Sequence, residues 1–209
     1  MRCTALSDDS KEAFMQTTTQ RRAQIQKLAL LALMTAMVAV LAYFGGFIKI
    51  GGLASISLTL IPVVIGAALY GPLAGAWLGG VSGVIFFATL DAAGWFALSV
   101  PGTIITVMVK GILAGFCAGL VYKLLEKKNR YLAVIASAVV CPIVNTGIFL
   151  IGCFIFFFDA VKLGAGEKGM SIFAYIIVVF VGLNFVFELL TNIIVSPAIL
   201  RLINIRKKK

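Results

Sequence analysis

Histidine is missing from this chain altogether, and acidic residues are scarce: eight Asp and Glu stand against eighteen Lys and Arg in 209 residues. Without histidine there is no His-ligated zinc site and no His-dependent catalytic triad. Cysteine is limited to Cys3, Cys117, Cys141 and Cys153, placed in the polar start of the chain or inside apolar runs, with no CxxC pair. That pattern argues against a disulfide framework. No GxxxxGK[ST] sequence occurs, and no connection between apolar runs is long enough for a nucleotide-binding domain. Charge is thin throughout, at 12% of residues, against about 25% in soluble domains.

What the chain has instead is apolar residues, 61% of the total, which marks an integral membrane protein. The opening stretch MRCTALSDDSKEAFMQTTTQ has no apolar core, so it is neither a secretory signal nor a span. Residues 1–22 are expected to form a mobile cytoplasmic tail, residues 23–205 a six-helix substrate-binding membrane domain, and residues 206–209 a basic cytoplasmic tail. The fold class expected is an all-α, six-transmembrane-helix bundle. Its six apolar segments run roughly over Leu28–Ile48, Leu58–Tyr70, Leu73–Leu90, Val100–Tyr122, Leu132–Phe158 and Ile172–Leu200. The second is too short to cross about 30 Å of hydrocarbon. It is therefore expected to form a tight hairpin with the third, around Gly71-Pro72, inside the bundle.

Cations set the orientation. Arg21, Arg22 and Lys27 precede the first segment, Lys123, Lys127, Lys128 and Arg130 follow the fourth, and Arg201 with the terminal RKKK follows the sixth. The other side offers Lys49, Lys162 and Lys168. Both termini are thus expected in the cytoplasm of a multi-pass cell-membrane protein, and the net charge of +10 reads as a topogenic signal with affinity for anionic headgroups rather than for nucleic acid.

Three segments carry a strongly polar residue near their middles: Lys110 in the fourth, Asn145 in the fifth and Glu188 in the sixth. A charge at that depth costs at least about 2.5–3.5 kcal/mol, so it needs a partner or a polar cavity. In LNFVFELLTNIIVSP, Asn184, Glu188 and Asn192 recur every four residues on one helical stripe, beside Thr191. Asn145 and Thr146 follow Pro142, which removes a backbone donor. Two readings remain open: Lys110 and Glu188 neutralise one another while the amides join helices, or the group lines a ligand pocket. The amide ladder exceeds the need of one ion pair and favours the pocket. Glycines at 71, 75, 79 and 83 and at 111, 115 and 119 provide faces for close helix packing, and Ala32 and Ala36 form a further small-residue pair.

The AxxxA pair, the segment GGLASISLTLIPVVIGAALYGPLAGAWLGG, the basic connection after the fourth helix, and the late NTGIFLIG and NFVFELLTNIIVSPAI helices together resemble the S component of energy-coupling factor (ECF) transporters, over about residues 24–205. The resemblance implies a subunit that captures a B-vitamin-like molecule from outside for ATP-driven uptake. It also implies partners: a transmembrane coupling subunit and two cytoplasmic ATPase subunits, with docking through Ala32 and Ala36. No cofactor is implied. As for the vitamin, Lys110 suits a carboxylate and the Asn and Glu groups suit hydroxyls and an amide, features of pantothenate. Riboflavin is the rival, its ring stacking on Trp95, Phe96 or Tyr43. The Gly51-Gly52 loop at residues 47–57 is expected to act as a lid. A proton-coupled carrier using Glu188 and Lys110 is the alternative function. An enzyme is not expected, because no residue of the sequence stands at catalytic motif spacing from Asp91 in the loop TLDAAGW.

Overall fold

The computed structural model describes the backbone of residues 2–45, 49–50, 54–55, 58–178 and 183–207. Over these residues the chain is helical apart from one small antiparallel ladder. The elements are α1 (Arg2–Gly45), β1 (Lys49–Ile50), β2 (Ala54–Ser55), α2 (Leu60–Tyr70), α3 (Pro72–Phe86), α4 (Leu90–Leu98), α5 (Val100–Leu125), α6 (Arg130–Phe156), α7 (Phe158–Glu167), α8 (Ile172–Tyr175) and α9 (Leu183–Lys207). The chain divides into two units, Met1–Leu33 and Met34–Lys209. The first is a stretch of α1, so the segment expected to be a tail is helical from Arg2. The second holds every other element.

Three helices among the described residues are long and apolar enough to cross a membrane: the Gln24–Phe44 part of α1, then α5 and α6. The pair α3 and α4 would count as a fourth span with an 83° bend. The packing of the second unit is inverted relative to a soluble domain. Its interior is built of small or modest residues such as Ala67, Ala114, Ala118, Ala133 and Ala138, all 0% exposed. Large apolar side chains point outward, among them Leu73 at 80% exposed and Ile194 at 72%. Such a surface has water as a poor solvent and lipid as a good one.

Glycine explains how α3 and α5 meet. A Cβ added at Gly75 or Gly79 would land on the carbonyl oxygens of Gly115 and Gly111 respectively, and the reverse substitutions collide in the same way. Lower on the same face, a Cβ at Gly119 would stand 2.6 Å from Pro72 Cα. The obstacles are backbone atoms, which cannot rotate aside. Gly79→Ala is therefore expected to destabilise the protein by about 1–3 kcal/mol. Gly94→Ala, with nothing within 4 Å of its Cβ, should be neutral or slightly stabilising in helix α4. Thermal unfolding in detergent checks the pair, and an unaffected Gly79→Ala would refute the backbone-to-backbone contact.

The α2–α3 hairpin expected from sequence is present. Its turn is Gly71, whose φ of 94° and ψ of −178° lie in a region open to glycine, and Pro72 opens α3 at a position where its missing N–H is not needed. Most of α2 is buried, namely Leu60 and the run from Pro62 through Ala67.

One boundary differs from expectation. The third segment does not continue to Leu90 as one helix: α3 stops at Phe86, the Thr89 hydroxyl donates to Phe86 O at 2.7 Å, and Thr89 turns extended before α4 begins. A threonine side chain that hydrogen-bonds nearby backbone competes with helix continuation. In the sixth segment the described residues fall into separate stretches. Ile172–Tyr175 is followed by a π-helical turn over residues 176–178, and α9 starts at Leu183. The connection before it contains a further helix, α7. The loop 47–57 expected to act as a lid lies outside the described residues apart from the paired β1 and β2.

Candidate polar site around Lys110

Helix α5 is fixed at its start by Ser99, whose hydroxyl oxygen accepts from Gly102 N at 3.3 Å, with Pro101 in the first turn. Ten residues further along it, Lys110 projects half-buried between α3 and α6. Its Nζ lies 5.0 Å from the ring centroid of Phe149 on α6 and 5.7 Å from that of Phe86, the last residue of α3. An ammonium over the negative face of an aromatic ring is attracted by about 0.5–2 kcal/mol, more where water is excluded. Glu188 on α9 is within electrostatic reach of Lys110, as is Cys153 on α6. Groups on three other helices, α3, α6 and α9, thus act on one charge.

Trp95 joins the same cluster through Phe149. The indole makes edge-to-face contacts with Phe149 and with Phe157, both at 5.3 Å between centroids. Such pairs are worth about 0.5–1.5 kcal/mol each beyond their buried area. The short helix that carries Trp95 is tied to α5 by Thr103, whose hydroxyl is placed to donate to Trp95 O at 2.9 Å and to Ser99 O at 2.7 Å. Beyond Phe157 the cluster continues into Cys153, Val161, Ala165, Tyr175 and Ile176, so α7 and α8 close over this end.

The α9 stripe is buried as a face: Glu188 is 2% exposed, Asn192 1% and Ser196 2%. Its donors are engaged within the helix. Asn192 Nδ2 donates to Glu188 O at 2.8 Å and Ser196 Oγ to Asn192 O at 2.9 Å. Thr191 donates to Phe187 O, so its hydroxyl is taken up locally. Asn192 Oδ1, by contrast, is buried and accepts no hydrogen bond among the described residues. A buried amide oxygen left without a donor is costly, about 1–3 kcal/mol, and a ligand N–H or O–H would satisfy it. The side chain of Asn184 lies outside the described residues. On α6, which packs against both α5 and α9, Asn145 is buried at 8% exposed and Thr146 is half-buried.

The structure therefore brings together Lys110, Glu188 and Trp95, the first two by charge and the first and third through a shared ring. Asn192 adjoins Glu188 by one helical turn. Sequence reasoning missed Phe149, Phe86 and Ser196. Two of these were detectable: Phe149 is four residues beyond Asn145 and Ser196 four beyond Asn192, hence on the same helical stripes. Phe86 gave no such signal.

Among the described residues, a half-buried cation, a buried carboxylate and amide oxygen, and aromatic rings thus occur in a helical body whose outer surface is apolar. A family described as "ECF transporter, substrate-specific component" matches residues 26–203, and the chain belongs to that family. No curated protein and no solved structure matches the chain. Members of the family are the substrate-binding subunits of transporters, associated with a coupling and ATPase module.

Proposed function

We propose that this S component captures an anionic B-vitamin-like molecule from outside the cell, pantothenate in preference to riboflavin, and delivers it for ATP-driven uptake. The observation that carries the choice is Lys110, a half-buried ammonium beside two ring faces and within electrostatic reach of Glu188. A ligand carboxylate would add a charge-assisted hydrogen bond there, while Asn192 Oδ1, Asn145, Thr146 and Asn184 supply partners for hydroxyls and an amide. Riboflavin has no carboxylate for Lys110; Trp95 is the feature that speaks for it. In this reading six segments cross or enter the membrane, both termini are cytoplasmic, and the transmembrane coupling subunit with two cytoplasmic ATPases completes the transporter. Ala32 and Ala36, both exposed on α1, form the docking face.

Reconstituted alone in liposomes, the chain is expected to bind radiolabelled pantothenate saturably and to show no accumulation with ATP or with a proton gradient. Robust proton-driven accumulation would overturn the proposal and establish a secondary carrier built on Glu188 and Lys110.

A further inference from the structure

A lysine reaches its partners through four flexible methylenes, and near a membrane such a side chain tends to extend toward the interface. Attraction by Glu188 alone would draw the Lys110 ammonium toward α9. Two rings also attract it: Phe149 at 5.0 Å and Phe86 at 5.7 Å. Phe149 does more than Phe86, because its ring is also held by the indole of Trp95 at an interplanar angle of 82°. A ring that receives a cation on its face while packing at right angles to a second ring has its plane defined by both contacts. The Trp95 indole is in turn packed on Phe157 at 5.3 Å, and its backbone lies beside the Thr103 hydroxyl, which has Trp95 O and Ser99 O as alternative acceptors.

We propose that Phe149 is a positioning residue, whose face holds the Lys110 ammonium in place for a ligand anion and whose contact with Trp95 couples the indole to the occupancy of that site. This rests on reading Lys110 as a ligand-binding group. Selectivity for an anion then depends on a residue with no polar atom. The order of support runs from Thr103 through Trp95 and Phe149 to Lys110, across α4, α5 and α6.

The test has one arm that needs no ligand. In the full chain labelled with 13C-lysine in detergent, the Lys110 side-chain signals, assigned with Lys110→Arg, should be displaced upfield by the ring currents of Phe149 and Phe86. Phe149→Leu should move them toward the position of solvent-exposed lysines, and Phe149→Tyr, which keeps the ring, should restore most of the displacement. Phe149→Met provides a second ringless variant should Phe149→Leu not fold. The other arm is pantothenate titration, in which the ringless variants should bind about 3- to 30-fold more weakly and Phe149→Tyr close to wild type. Undisplaced Lys110 signals in the wild type, or signals that ignore loss of the ring, overturn the proposal, as does unaltered pantothenate affinity in a folded ringless variant. If the wild type binds no pantothenate, the ligand reading fails and the spectra alone decide the clamp.

Discussion

Lys110→Met should weaken vitamin binding by about 10- to 150-fold, the effect of losing a desolvated charge-assisted contact of about 1.5–3 kcal/mol, with the fold retained. The competing expectation is purely structural. If Lys110 serves only to neutralise Glu188, the substitution strands a buried carboxylate and destabilises the protein by about 3–5 kcal/mol, and Lys110→Met combined with Glu188→Gln recovers much of that stability. The surroundings sharpen the distinction. Lys110 lies beside two rings and within electrostatic reach of Glu188, so its charge has more support than one ion pair requires. Thermal unfolding and ligand affinity, measured on both single variants and the double, separate the cases. Rescue of stability with unaltered affinity would remove Lys110 from the binding site.

Replacing Ala32 and Ala36 together by leucine should abolish transport by the assembled complex while leaving vitamin binding to the isolated chain intact. The reason is distance: two small residues one turn apart let a second helix approach closely, and two isobutyl groups hold it off. Both alanines are exposed on α1, in a helix whose span window is almost wholly unburied within the chain. Uptake assays with the coupling subunit and ATPases, run beside binding assays on the S component alone, check this. Loss of binding together with transport would mean that the alanine face packs inside the subunit.

Legibility from sequence followed the strength of the local signal. α5 and α6 were readable because each is a long apolar run, and the glycine spacing in α3 and α5 correctly indicated close packing within the chain. The break after Phe86 was not readable. Phe86, Phe87, Ala88, Thr89 and Leu90 continue an apolar pattern, and the turn depends on where the Thr89 hydroxyl points. α7 was missed for a related reason: FDAVKLGAGE mixes charges and glycines, yet Val161 and Ala165 bury themselves in the cluster around Tyr175, so tertiary packing overrides a weak helical preference. Within the site, charged and amide residues stood out because they are rare in an apolar chain. Phe149 and Phe86 did not, being two of sixteen phenylalanines, and only their position around Lys110 distinguishes them.

The most direct measurement is to purify the chain and its Lys110→Met variant gently in detergent and to identify co-purifying small molecules by mass spectrometry. The wild type should carry one carboxylate-bearing, vitamin-sized molecule near one-to-one stoichiometry, and the variant should have lost it while eluting as the same folded species. A wild type that retains a neutral molecule, held equally well by the variant, would contradict the assignment of Lys110 as the anion-binding group of this subunit.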